Sequence, residues 1–151
     1  MLTGRWPEAH HVRMNLDAND AYYEKNVYQV AKGMGYQTGL AGKNHTFLRK
    51  GDLDYWRPYM HWEGYKGPDA PKAYYEYDQW MRGLDAEAAS TPTPFPVEVG
   101  YPYRIVSDAI EFMDQAGSQP FILQVGFPLL QFLLRLQSIG RCTVGNIRFN
   151  L

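Results

Sequence analysis

Residues 121–127, "FILQVGF", form a nearly unbroken apolar run just behind an amphipathic stretch that ends on a glycine. That pairing restricts the chain more than any other feature. A strand with one wet face alternates apolar and polar residues, whereas a run without alternation suits a parallel strand covered on both faces. Ahead of it, Val106, Ala109, Ile110 and Met113 fall at helical spacing, with Ile105 and Phe112 at the margins, and Gly117 closes the helix. The same order occurs once earlier. Tyr23, Val27, Val30, Ala31 and Met34 predict one apolar helix stripe behind a cap at Asn19 or Asp20. Gly35 stops that helix, and residues 36–41 read as a short strand that Gly39 weakens. Helix, glycine and strand, met twice, predict an α/β fold built from βαβ halves.

Between residues 46 and 103 no period holds. Aromatic and turn residues interleave, and four prolines crowd residues 92–102. A patternless stretch of that length serves a function or packs around a site. Within it, "YEYDQWMRGL" admits a short helix or a short strand, and residues 1–18 read as a loop. The 151 residues predict one domain with an ordinary core, supported by 45% hydrophobic residues. A formal net charge of -1 provides no field for nucleic acid or an anionic membrane. Cys142 is the single cysteine, which leaves no intrachain disulfide and no cysteine zinc site. The opening "MLTGRWPEAHHV" does not read as a signal peptide, and the apolar residues 121–134 are too few, and broken by Pro128, for a membrane span.

The chemistry-bearing pair is Lys43 and His45, which follow the first predicted strand in "GYQTGLAGKNH". Ligands of open parallel sheets bind beyond the carboxyl ends of strands, and residues two apart in extended chain face one way. A lysine ammonium suits an oxygen of a sulfate or phosphate group, and a histidine beside it can donate, protonate or orient. The same spacing equally describes a surface lysine and a half-buried histidine. His10 and His11 are adjacent and read as loop residues more readily than as metal ligands. Asp52 and Asp54 face one way if extended, as a cation site or as solvated loop carboxylates. "DYWRPYMHWEGY" gathers aromatics around Arg57 and His61, either as a wall on which a sugar stacks or as the packing of a long loop.

Three segments resemble the sulfatase family, in the family's order. "GYQTGLAGKNH" resembles its Gly-Lys-x-His signature, "LTGRWPEAHHVRMN" the segment after its nucleophile motif, and "PFILQVGFP" a strand that leads into a Pro-His pair. The resemblance implies a partial alkaline-phosphatase-like sandwich, a sheet between helices, over residues 1–128. It implies a sulfuric ester hydrolase, with Lys43 binding a sulfate oxygen and His45 contacting the nucleophile. In the full-length family that nucleophile is a formylglycine and the cofactor is calcium; no cofactor is expected on this chain alone. A small-molecule or carbohydrate sulfate ester is the implied partner, and members are often periplasmic, secreted or lysosomal. A phosphonate or phosphodiester hydrolase of the same superfamily and a non-catalytic interaction module are the alternatives. The chain departs from the family pattern in lacking Cys-x-Pro-Ser-Arg, the paired metal aspartates and a histidine after Pro128, and His11 stands where glycine is usual. Residues 129–151, with three arginines and no acidic residue, are expected to be an atypical tail read out of frame, and Met1 an internal methionine of a longer protein.

Overall fold

A computed structural model describes residues 2–14, 21–84 and 92–128. The expected cap at Asn19 or Asp20 and the tail after Pro128 lie outside the described residues. The elements are α1 (Pro7–His10), α2 (Val27–Gly33), β1 (Gln37–Lys43), β2 (Tyr55–Tyr59), α3 (Lys72–Gly83), α4 (Tyr101–Ala116) and β3 (Phe121–Gly126). The three strands form one parallel sheet in the order β2-β1-β3. The expected α/β class therefore holds, and both helix–glycine–strand units exist as α2–β1 and α4–β3. Gly35 and Gly117 adopt positive φ, 84° and 57°, just behind the two helices, the conformation that glycine reaches at least cost.

Helices cover both sides of the sheet. Gly39 and Leu40 are neighbours on β1 and so face opposite ways. A Cβ on Gly39 would meet the Phe112 ring of α4 at 2.9 Å. Leu40, fully buried, packs instead with Tyr28 of α2, Leu48 and Leu53. The larger core lies where α3, α4 and the end of β2 meet, among Tyr59, Tyr77, Met81, Tyr101 and Ile105. The strand β2 and the helix α3 thus come from the stretch in which the sequence shows no period. There β2 carries Arg57 and Pro58, which hide a strand, and "YEYDQWMRGL" proves helical as part of α3. Proline survives in β2 because that strand lies at the sheet's edge. Residues 7–10, expected as loop, form the single turn α1.

Both helices are rotated from their expected phase. In α2 the buried residues are Tyr28 and Ala31, while Val27, Val30 and Met34 are exposed. The helix also starts later than expected, with Asn26 as its cap. Asn26 Oδ1 accepts from Gln29 N at 3.0 Å and Gln29 Oε1 accepts from Asn26 N at 2.9 Å, a reciprocal box. In α4 the buried line is Tyr101, Arg104, Ile105, Ala109, Phe112 and Ala116, so the expected margins, Ile105 and Phe112, lie in the core. Val106, Ile110 and Met113 are 45%, 49% and 40% exposed. The cause is Arg104, a charged residue that occupies a core position on tyrosine rings, together with tyrosines that a strictly apolar count passes over.

The strands exchange their expected roles. β3 was expected to be covered on both faces, yet Phe121 and Val125 are exposed, and among the described residues β3 pairs only with β1. The central strand is β1, whose residues 38–42 are all buried. Its glycines explain why. Gly39 leaves room for Phe112 and Leu123, and at Gly42, with φ 108°, a Cβ would lie 1.9 Å from the carbonyl oxygen of Gly126. A Cβ on Gly126 would in turn lie 2.5 Å from the carbonyl oxygen of Lys43. Two glycines back to back let the ends of β1 and β3 close together, and that junction fixes where Lys43 leaves the sheet.

Candidate functional site

The carboxyl ends of three parallel strands share one edge, and Lys43 is the last residue of β1. In register it pairs with Tyr59, the last residue of β2. The chain runs two residues further to His61, which returns beside Lys43. Lys43 Nζ lies 2.7 Å from His61 Nε2. A protonated lysine has only donors, so the ammonium donates and His61 accepts at Nε2, which puts the imidazole proton on Nδ1. The His45 ring lies 5.9 Å from the His61 ring, tilted 56°. Trp62 flanks His61 at 5.6 Å.

Three cationic or protonatable groups thus crowd one edge, and each holds its proton less well than it would in water. Partial burial lowers the Lys43 ammonium from its ordinary 10.5. His45 is lowered from 6.5 by burial and then by the Lys43 charge. His61 is lowered from 6.5 by burial, then by Lys43 and by His45. A bound anion would relieve that repulsion and raise all three. The cluster is therefore poised to accept negative charge.

Loop geometry holds the group in place. Asn44 Oδ1 accepts from Thr46 N at 3.0 Å and from Thr46 Oγ1 at 2.6 Å, and Asn44 Nδ2 donates to the Leu48 carbonyl at 2.8 Å. The segment between Lys43 and Leu48 is thereby a closed turn rather than a loose arm. A cleft of about 590 Å³ adjoins His45, with Leu2, Val12, Val27, Tyr28 and Phe47 giving it an apolar wall.

The other sequence candidates have local duties. Asp54 Oδ2 accepts from Thr38 N at 2.9 Å and Thr38 Oγ1 at 2.8 Å, and Asp54 Oδ1 pairs with Lys32 at 2.9 Å. Asp52 accepts from Arg49 N at 2.6 Å. Their carboxylates pin the approach to β2 rather than a shared cation. His10 is buried, with Nδ1 accepting from Val12 N at 3.1 Å, and His11 stacks on Tyr22 at 6.1 Å. Arg5 pairs with Glu24 at 3.3 Å on the surface.

The calcium implied by the family resemblance does not fit this cluster. Calcium takes oxygen ligands, whereas Lys43 brings a repelling charge and the two histidines bring nitrogen. Among the described residues no group of three or more His, Cys, Asp or Glu gathers to hold a metal ion. Nor is any helix among them long and apolar enough to cross a membrane. Comparison of the chain with protein-family models, with curated proteins and with solved structures finds no match.

Sequence reasoning brings Lys43 and His45 to the strand end, where the structure also places them. It misses His61 as their partner, and it misses Gly42 and Gly126 as the junction beneath. The signal for His61 was present in "YWRPYMH": read as a parallel strand beside β1, that stretch ends two residues before a histidine.

Proposed function

We propose that this chain carries the oxyanion-binding centre of a sulfuric ester hydrolase, set in an alkaline-phosphatase-like fold with its sheet between helices. One observation carries the reading: Lys43 Nζ and His61 Nε2 are 2.7 Å apart at the strand edge, with the His45 ring alongside. The sulfatase resemblance of "GYQTGLAGKNH" supports the assignment. A lysine ammonium with two imidazoles beside it suits the oxygens of an oxyanion ester. A phosphodiester carries the same charge as a sulfate ester and is the competing substrate.

In this reading the Lys43 ammonium keeps one N–H on His61 and directs another to an ester oxygen, which fixes the anion. The anion raises the pKa of both imidazoles, so one of them takes up a proton on binding. His45 then stands as proton donor to the departing alcohol oxygen, and His61 keeps Lys43 oriented. The chain contains no Cys-x-Pro-x-Arg, so the expected behaviour of the 151 residues is anion binding without turnover.

Titration of inorganic sulfate into the chain, followed by the His45 and His61 ring resonances, tests the proposal. Both should move and saturate, and Lys43→Ala should weaken binding by about tenfold or more, the worth of a charge-assisted contact. Release of sulfate from an aryl sulfate should not exceed that of Lys43→Ala. Rings indifferent to sulfate would leave the cluster a packing feature of a non-catalytic module. Saturable binding of dimethyl phosphate with no response to sulfate would favour the phosphodiester reading.

A further inference from the structure

A separate cavity of about 320 Å³ lies between β2, the loop before α3, and α4, with none of Lys43, His45 or His61 in its wall. That volume sits at the lower end of small-molecule pockets, which span about 300–1,000 Å³, and suits one six-membered ring. Tyr65 and Tyr74 supply aromatic surface to it, with the buried Tyr59 behind, and Arg57, Asp108 and Ser107 supply polar groups.

The polar groups are held before any ligand arrives. The Arg57 guanidinium lies 4.3 Å from the Tyr65 ring centroid and 4.5 Å from that of Tyr55, and Glu111 holds one of its N–H groups at 3.3 Å. Asp108, which lines the cavity, accepts at Oδ2 from Tyr59 Oη at 2.7 Å. Arg104, 3% exposed, lies 3.8 Å from the Tyr74 ring centroid and donates through Nη2 to the Tyr65 carbonyl. Its Nε and Nη1 have no hydrogen-bond partner, and Asp78 stands 3.9 Å from Nη1. A buried guanidinium with two orphan donors is costly; here it locks both the backbone and the ring that form one side of the cavity.

The charge of the wall selects the class of ligand. Arg57 and Arg104 are opposed there by Asp69, Asp108 and Glu111. An anion would meet three carboxylates, and a cation two guanidiniums. A neutral polyol meets both donors and acceptors, and each hydroxyl can serve as both. The flat C–H face of a pyranose lies well on a tyrosine ring, and its hydroxyls bridge Arg57 and Asp108. We propose that this cavity is a binding subsite for one neutral pyranose ring of a carbohydrate. The assignment stands independently of the anion site at Lys43.

Saturation-transfer NMR on the 151-residue chain, with methyl β-D-glucopyranoside, methyl β-D-galactopyranoside and methyl α-D-mannopyranoside as probes and glucuronate as the charged control, decides it. At least one neutral glycoside should receive saturation on its ring C–H protons. Ser107→Trp fills the cavity from an exposed helix position without touching the core, and should weaken that binding by about tenfold. Lys43→Ala, which removes the anion site, should leave the sugar signal intact, so that failure of the sulfate reading and failure of this one are told apart. No transfer to any neutral glycoside, transfer to glucuronate alone, or binding that survives Ser107→Trp would each overturn the subsite.

Discussion

At the scale of single residues, the strongest claim concerns protons. Folding lowers the pKa of His45 and His61 below 6.5, by burial first and by Lys43 next. Between the lowered values and 6.5 the unfolded chain therefore binds more protons than the fold. Stability from these groups is full above about 6.5 and declines as pH falls through that window. Ring-proton titrations by NMR should place both histidines under 6.5. Lys43→Ala removes the neighbouring charge and should raise both. A Lys43→Ala variant with unmoved histidines would mean that the ammonium does not face them. Sulfate should shift both upward in the parent chain and bind more tightly as pH falls toward the lowered values, because its binding takes up protons.

Asp54 shifts in the same direction for a different reason. Burial pushes its carboxyl up, but hydrogen bonds from Lys32 and Thr38 outweigh this and hold it below 3.8. Stability from that carboxylate is present above about 3.8 and is lost as pH falls through its lowered value. Thr38→Val removes one hydroxyl donor while keeping volume, and should move the acid unfolding midpoint to higher pH. Circular dichroism against pH checks this, and a midpoint that stays in place would show that Thr38 does not hold the carboxylate.

At the scale of elements, glycines separate into those that shape the site and those that do not. Gly42→Ala forces a Cβ to within 1.9 Å of the Gly126 carbonyl oxygen at a φ of 108°, so it should cost about 2 kcal/mol or more and reduce sulfate binding by displacing Lys43. Gly33 lies in α2 with open space where a Cβ would go. Gly33→Ala should therefore stabilise the chain by about 0.5–1 kcal/mol. Paired denaturant melts of the two variants check both signs.

The same contrast explains what was legible beforehand. Glycine stops are local, so Gly35 and Gly117 mark their helix ends in the sequence alone. The close approach of Gly42 to Gly126 joins residues far apart in the chain and has no local sign. Helix phase failed for a related reason. An apolar count gives weight to Val106, Ile110 and Met113, yet α4 turns Arg104 inward because rings of Tyr59, Tyr74 and Tyr101 surround its guanidinium. Nothing in a one-dimensional pattern declares an arginine to be core. The Lys43–His45 pair was legible because both residues follow one strand; His61 was not, since β2 had first to be seen as a strand.

At the scale of the whole molecule, the misplaced stripes have a physical consequence. Among the described residues, Val106, Ile110 and Met113 of α4 and Val27, Val30 and Met34 of α2 lie exposed, and β3 presents Phe121 and Val125 at the edge of the sheet. Apolar helix faces and an edge strand that pairs on one side only both favour contact with another surface. A net charge of -1 adds almost no repulsion between copies. The 151-residue chain alone should therefore self-associate as its concentration rises. Sedimentation velocity should show a weight-average mass that grows with loading. Ile110→Lys combined with Val106→Glu adds charge to the exposed face of α4, leaves the Tyr101–Ile105–Phe112 core untouched, and should shift the chain toward monomer at equal concentration. Since neither substitution touches Lys43, His45 or His61, sulfate binding should persist in the charged variant. A parent chain that stays monomeric at all concentrations and unfolds in one cooperative step would show that these faces are tolerated as they stand, and would remove the reason to expect a covering partner.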